Sequence, residues 1–284
     1  LGEGQFVALT RELRRRIEDL ADYSEKHGKE LRLHPLAAVA IEDFTDQLPH
    51  LNTDHGWQTR LSRMHSGLQL KAAVPSTLKA ELRDYQVEGY QWLARLAHLG
   101  LGGCLADDMG LGKTLQALAI ILDRAPGGPT LVVAPTSVCM NWVAEADRFA
   151  PTLNMVVFGA GNREQMVKNL GGMDVLVVSY GLLNQEADLL ASIEWHTIVL
   201  DEAQAIKNVA AKRSQAAMNL KGRMRLLTTG TPIENRLDEL WTLFNFINPG
   251  LLGSQDRFTA RFAVPIERNN NRESKRRLKK LIQP

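Results

Sequence analysis

Two clusters of residues in this sequence have types and spacings that can do chemistry. The first is Leu105-Ala106-Asp107-Asp108-Met109-Gly110-Leu111-Gly112-Lys113-Thr114. Gly110 and Gly112 can adopt backbone angles that other residues avoid, turning successive N–H groups toward phosphate oxygens. Lys113 would then reach the β- and γ-phosphates of a nucleotide, and the Thr114 hydroxyl would coordinate Mg²⁺. The usual phosphate-loop spacing asks for glycine where this chain has Asp107, and a second acid, Asp108, follows it. Both acids precede the tight part of the loop, so their side chains can point away from the phosphates. One of them is expected to form a hydrogen bond or salt bridge within its own domain or to a further one.

The second cluster is Ile198-Val199-Leu200-Asp201-Glu202-Ala203-Gln204, an apolar run ending in two carboxylates. Strand ends are where an open α/β sheet presents its ligand groups. Asp201 is expected to hold Mg²⁺, directly or through water. Glu202 would orient and polarise an attacking water, giving hydrolysis without a covalent intermediate. By itself an Asp-Glu pair can simply end a strand at a solvated loop. After an upstream phosphate loop, the catalytic reading gains weight.

Both clusters need a scaffold that brings them together. Short apolar runs, Gly103–Ala106, Leu131–Ala134, Met155–Phe158, Val175–Val178, Ile198–Leu200 and Arg225–Thr228, alternate with helical stretches. The helical stretches are Leu115–Leu122, Trp142–Phe149, Gln165–Leu170 and Ala210–Leu220. Unbroken Val/Leu/Ile runs suit strands buried on both faces. Their alternation with helices predicts an α/β domain with a mostly parallel sheet. Three zones are expected: an accessory segment over 1–75, the α/β lobe over 76–262, and a basic end over 263–284. The first zone opens with a β-like stretch at Gln5–Leu9, then helical periodicity through Leu13, Ile17 and Leu20.

Composition narrows the class. A chain of 284 residues, 44% hydrophobic, is long enough for one large domain or for one domain with an appended smaller one. No apolar run approaches the roughly 18 residues of a membrane helix. The charged first residues lack a signal-peptide core, so an intracellular protein without membrane partners is expected. Cys104 and Cys139 are too few for a disulfide framework and read as buried, reduced thiols. Beyond Asp256, nine Lys or Arg stand against two Glu, although the whole chain carries only +2. This end is either a polyanion-binding patch or a solvated helix with an apolar stripe of Leu278, Leu281 and Ile282. Trp92 and Trp142, with apolar neighbours, read as core.

Taken in order, the segments resemble the first RecA-like lobe of a Swi/Snf-type ATPase of helicase superfamily two. Leu82-Arg83-Asp84-Tyr85-Gln86, with Gly89 and Trp92-Leu93, resembles the motif that reads adenine, and Gln86 is the implied contact. Leu105–Thr114 resembles motif I, for which the family uses Asp-(Asp/Glu)-Met-Gly-Leu-Gly-Lys-Thr. "VAPTSVCMNW" (133–142) resembles motif Ia, and "DVLVVSYGL" (174–182) the segment after it. "DEAQAIKN" (201–208) resembles motif II and "LLTTGTPIEN" (226–235) motif III. "LDELWTLFNFINPGLLGS" (237–254) resembles the stretch that follows motif III in the family.

The resemblance implies a RecA-like phosphate-loop lobe with a small N-terminal extension, using ATP and Mg²⁺. Asp108, Met109, Gly110, Leu111, Gly112, Lys113 and Thr114 would cradle the nucleotide. Lys113, Asp201, Glu202 and Gln204 would form the catalytic set, with Gln204 near the γ-phosphate. Thr228, Thr229, Gly230 and Thr231 would couple the nucleotide site to lobe movement. Thr136, Ser137 and Asn141 would lie along the backbone of duplex DNA, joined by the Ser179-Tyr180-Gly181 turn. Hydroxyl and amide donors there would position a duplex without reading its sequence.

The implied activity is DNA-dependent ATP hydrolysis driving duplex translocation or nucleoprotein remodelling. The implied location is a bacterial cytoplasm, at the nucleoid, or a eukaryotic nucleus. A second RecA-like lobe with an arginine finger is an implied partner within a longer protein. On that expectation residues 1–284 alone bind ATP and hydrolyse it poorly. A strand-separating helicase and a non-catalytic DNA- or protein-docking module are the competing readings. A guanine-specific enzyme is disfavoured, since the chain has no Asn-Lys-x-Asp run.

Overall fold

The computed structural model describes residues 24–27, 30–33, 55–108, 110–159, 161–230 and 236–282. The expectations for Gln5–Leu9 and for Leu13, Ile17 and Leu20 fall outside these residues, as do Met109 and Thr231. The chain divides into two compact units, one over His65–Pro249, the other drawing on Leu1–Met64 and Gly250–Pro284.

The strands in chain order are β1 (Ser24–His27), β2 (Glu30–Leu33), β3 (Gly103–Leu105), β4 (Thr130–Ala134), β5 (Asn154–Val157), β6 (Asp174–Ser179), β7 (Glu194–Asp201) and β8 (Lys221–Thr228). The helices begin with α1 (His55–Leu68), α2 (Asp84–His98), α3 (Lys113–Arg124), α4 (Thr136–Phe149), α5 (Arg163–Lys168) and α6 (Tyr180–Gln185). They continue with α7 (Ala187–Ala191), α8 (Lys212–Asn219), α9 (Leu237–Ile247), α10 (Gln255–Phe258), α11 (Val264–Glu267) and α12 (Arg272–Ile282).

In the larger unit six strands form one sheet in the order β3-β8-β7-β4-β6-β5, every neighbouring pair parallel. Alternate residues of the strands enter opposite layers. Leu105, Val132, Ala134, Val175, Val177, Val199 and Leu226 pack in one core with Tyr90 and Leu93 of α2, Ala117–Leu122 of α3 and Trp142 of α4. Leu131, Val133, Leu176, Val178, Ile198, Leu200 and Leu227 pack in the other, with Leu183 of α6, Ala216 and Ala217 of α8 and Phe246 of α9. Burial on both faces explains why these strands read as continuous apolar runs. Each fully buried Val, Leu or Ile side chain contributes about 1.5–3 kcal/mol.

All six expected strands are present, within a few residues of their expected ends. Helix α4 starts earlier than expected, at Thr136, because Pro135 at its N-cap (φ −56, ψ 145) directs the chain straight into it. The order of the strands leaves a crevice. The chain passes from β3 to β4, and β7 and β8 later fill the gap between them. Ligand groups in open α/β sheets collect at such a switch point, beyond the carboxyl ends of the strands. Asn248, just after α9, fastens the entry to β3: its Oδ1 accepts from the Gly102 N–H and its Nδ2 donates to the Gly102 carbonyl, both at 3.0 Å.

In the second unit β1 and β2 pair antiparallel, with Ser24 opposite Leu33 and His27 opposite Glu30. Asn271 caps α12, its Oδ1 accepting from Glu273 and Ser274 N–H at 3.0 Å each. Leu278 and Leu281 of α12 are buried and Lys275, Arg276, Lys279 and Lys280 are exposed, as an apolar stripe on a solvated helix requires, while Arg277 is partly covered. Among the described residues no helix is long and apolar enough to cross a membrane.

Candidate active site

The first half of the site is built from backbone. Beyond the end of β3 the chain turns through Gly110 (φ 83) and Gly112 (φ 73, ψ 38), the latter forming the N-cap of α3. Both conformations are left-handed, where a Cβ is costly. The Lys113 ammonium donates to the main-chain carbonyls of Asp107 (2.7 Å) and Asp108 (2.9 Å), closing the loop on itself. Both contacts use main-chain carbonyls, which any residue type at 107 and 108 would supply. An ammonium has three donors, so one remains for a phosphate oxygen.

Helix α2 braces the loop from outside. Gln86 is buried; its Nε2 donates to the Leu111 carbonyl at 3.2 Å and its Oε1 accepts from the Arg83 N–H at 3.0 Å. Tyr85, more exposed, donates to the same Leu111 carbonyl at 3.0 Å. A Cβ on Gly112 would lie 2.4 Å from Gln86 Nε2, so a side chain here would have to displace the Gln86 amide in addition to taking up the left-handed angles. Gln86 keeps one N–H and one carbonyl lone pair for a ligand.

The second half is built from side chains. Asp201 ends β7, and its carboxylate receives three donors. Oδ1 accepts from the Thr228 hydroxyl (2.5 Å) and the Glu202 N–H (3.0 Å), and Oδ2 accepts from the Trp142 indole N–H (2.9 Å). Its backbone carbonyl accepts from the Tyr180 hydroxyl at 2.9 Å. Burial holds the Tyr180 phenol well above its ordinary pKa, and the charges of Asp201 and Glu202 push it the same way. Tyr180 is thus a neutral donor throughout the physiological range.

Glu202 adopts a left-handed backbone (φ 49, ψ 55), a conformation that costs a non-glycine residue on the order of 1–3 kcal/mol. A turn this tight directly after the strand sets its carboxylate in the cleft beside Asp201. Gln204 Nε2 donates to Glu202 Oε2 at 2.6 Å, and Gln204 Oε1 accepts from the Thr229 hydroxyl at 2.9 Å. Thr228 and Thr229, expected to couple nucleotide state to movement, thus contact Asp201 and Gln204 directly. Gly230 follows them at the end of β8.

The two halves face each other across a cleft of about 420 Å³, lined by Gly110, Gly112, Lys113, Thr114, Asn141, Trp142, Glu145, Asp201 and Glu202, with Val138 at its wall. Thr136 and Ser137 stand exposed at the start of α4, and Asn141 is exposed where that helix meets the cleft. The Ser179 hydroxyl accepts from the Leu182 N–H at 3.2 Å and caps α6. Thr114 and Asp201 offer hydroxyl and carboxylate oxygen, the hard donors that suit Mg²⁺. Three carboxylates and one lysine line the cleft among the described residues, so a polyphosphate would need a divalent cation there.

Sequence reasoning missed three participants. Trp142 is 1% exposed and packs in the core as expected, yet its N–H reaches Asp201. A buried tryptophan N–H needs a partner, and that signal was available. Glu145, one turn further along α4, reaches the cleft wall; burial raises its pKa, and Asp201 adds to the effect. The sequence groups Tyr180 with a turn expected to face DNA, and only the fold brings it to Asp201.

Comparison with known proteins follows the same lines. The SNF2-related domain family matches residues 85–284. YwqA of Bacillus subtilis is 37% identical over 303 aligned residues, covering 99% of this chain and 33% of its own length. The chromatin-remodeling ATPase INO80 of Arabidopsis thaliana is 41% identical over 209 residues, 68% of this chain and 14% of its own. The SWI2/SNF2 ATPase core of Sulfolobus solfataricus, solved in complex with dsDNA, superposes with a TM-score of 0.70 at 42% identity. That match covers 76% of this chain and 46% of the other. The chain therefore spans a third or less of these two curated relatives.

Proposed function

The chain belongs to the SNF2-related family, and from that premise we propose that it forms the first ATPase lobe of a DNA-dependent motor. The motor would couple ATP hydrolysis to duplex-DNA translocation or nucleoprotein remodelling. The observation that carries this reading is the meeting of the Gly110–Thr114 loop with Asp201 and Glu202 across one cleft.

Each residue then has a task. Gly110, Leu111 and Gly112 present N–H groups to the phosphates, and the N-terminus of α3 adds its partial positive charge. Lys113 neutralises β/γ oxygens with its remaining donor. Thr114 and Asp201 would hold Mg²⁺, which supplies charge neutralisation on the phosphates when bound. Glu202, oriented by Gln204, accepts a hydrogen bond from the attacking water and draws off its proton as the γ-phosphoryl is displaced. Gln86, with one donor and one acceptor left, fits the edge of adenine. Thr136, Ser137 and Asn141 would contact duplex phosphates, in keeping with a relative solved with dsDNA.

Charge also suggests how far these residues go alone. One lysine facing three carboxylates leaves the transition-state charge under-compensated even with Mg²⁺. An arginine finger, which the family takes from a second RecA-like lobe, is worth on the order of 10³–10⁵ in turnover. We infer that residues 1–284 bind ATP and hydrolyse it slowly. Steady-state ATPase assays with and without duplex DNA test this: brisk, DNA-stimulated turnover by these residues alone would overturn it. A fluorescent-duplex unwinding assay on the longer protein separates translocation from strand separation, and no unwinding is expected.

A further inference from the structure

The lone pairs of Asp201 can be counted. An ionised carboxylate offers about four acceptor sites. Thr228 and the Glu202 N–H occupy both sites of Oδ1, and Trp142 occupies one of Oδ2. A single site on Oδ2 remains, so Asp201 can offer one contact to a cation or to water bound to it. We propose that Trp142 is a positioning residue for the metal site, its indole N–H fixing which oxygen of Asp201, and which lone pair, faces a nucleotide-bound Mg²⁺.

The packing supports that assignment. Cys139, Trp142 and Ala146 form the buried face of α4, and the indole ring sits in the core beneath the cleft. A ring that is 1% exposed and packed in the core cannot swing to follow the carboxylate, so the carboxylate must take the geometry of the ring. Trp142 also lines the cleft, which places its N–H at the boundary between core and ligand. Tyr180 holds the Asp201 main chain and Thr228 holds the other oxygen, so Trp142 alone among these donors acts on the free side of the group. Mg²⁺ demands near-ideal octahedral geometry, and partners that orient a ligating carboxylate shift metal affinity by roughly 10–100-fold.

This inference rests on the nucleotide-site reading, and the test separates the two. Binding of a fluorescent ATP analogue is titrated against Mg²⁺ in the wild-type chain, in Trp142→Phe and in Lys113→Ala. Trp142→Phe is expected to raise the half-saturating Mg²⁺ about 10-fold or more, while analogue affinity in EDTA matches wild type. Lys113→Ala is expected to weaken the analogue in EDTA as well. A wild-type Mg²⁺ midpoint in Trp142→Phe overturns the proposal and leaves the nucleotide site standing. A wild-type chain that binds no analogue overturns both. Should Trp142→Phe fold poorly, the wild-type indole N–H resonances decide. One must shift when Mg²⁺ joins the nucleotide complex and stay put with nucleotide in EDTA, and the absence of any Mg²⁺-responsive indole signal overturns the proposal.

Discussion

The loop that follows β3 and the cluster that ends β7 face the same cleft, but they are made differently. The loop is backbone. Its donors are N–H groups, its clasp is an ammonium on two carbonyls, and its shape depends on two left-handed glycines. The cluster is side chain. Asp201, Glu202, Gln204, Thr228, Thr229 and Trp142 hold one another through hydrogen bonds from three separate elements. A backbone site binds whatever carries phosphate. A side-chain network adds the oriented carboxylates that chemistry needs, and it can be disturbed one atom at a time.

The largest expected effects separate binding from turnover along that line. Lys113→Ala should weaken nucleotide binding most, since it removes both the clasp and the proposed phosphate contact. Glu202→Gln should leave affinity within a few-fold, because a glutamine oxygen still accepts from Gln204. Turnover by the longer protein should then fall on the order of 10²–10⁴-fold, the usual worth of a general base. Calorimetry paired with phosphate-release assays reads both. If the two variants behaved alike, the division between the halves would be wrong.

Next in size is Thr228→Val, which keeps the volume and removes a donor from a charged, half-buried acceptor. A loss of about 1.5–3 kcal/mol is expected from such a bond, read by chemical denaturation. Thr228 is itself 1% exposed and tolerates little repacking, so an isosteric change isolates the hydrogen bond. Stability equal to wild type would mean that the Glu202 N–H and Trp142 already satisfy Asp201.

The glycines sharpen the other half. Gly110 and Gly112 both have positive φ, and alanine at either incurs strain on the order of 1–3 kcal/mol. A Cβ at Gly110 meets nothing within 4 Å, whereas one at Gly112 meets Gln86 at 2.4 Å. Gly112→Ala should therefore destabilise more than Gly110→Ala, and the difference measures the packing of Gln86 against the loop. Equal losses in thermal unfolding would show that Gln86 moves aside freely.

The same division explains what the sequence made legible. The loop could be read because its chemistry is local: glycines, a lysine and a helix start within ten consecutive residues. The strands were legible because burial on both faces writes itself as unbroken apolar runs at 131–134, 175–178 and 198–200. Asp201 and Glu202 could be seen at a strand end, but their partners could not. Trp142, Tyr180 and Thr228 come from different elements, and only the β8-β7-β4-β6 order of the sheet sets them around one aspartate, two on its carboxylate and Tyr180 on its main-chain carbonyl. Trp142 carried a double meaning, since a buried aromatic satisfies the core reading without revealing where its N–H points. Hairpin β1–β2 and helix α1 went unread because their stretch is polar and interrupted, with few apolar residues to mark a period.

The smallest expected effect bears on how the backbone half is supported. Tyr85 and Gln86 both donate to the Leu111 carbonyl, at 3.0 and 3.2 Å. Tyr85 is 38% exposed, so water can replace its hydroxyl, and Gln86 remains on the same oxygen. Tyr85→Phe should then cost about 0.5 kcal/mol, the low end for a hydrogen bond, with nucleotide affinity unchanged. Gln86→Ala differs in kind: it strips the buried partner, leaves the Arg83 N–H without its acceptor and opens space beside Gly112. It should weaken adenine nucleotides more than inorganic triphosphate if Gln86 meets the base. Equal weakening of both would restrict Gln86 to bracing the loop. A tenfold loss of nucleotide affinity in Tyr85→Phe would instead move the base contact one residue earlier, to the phenol.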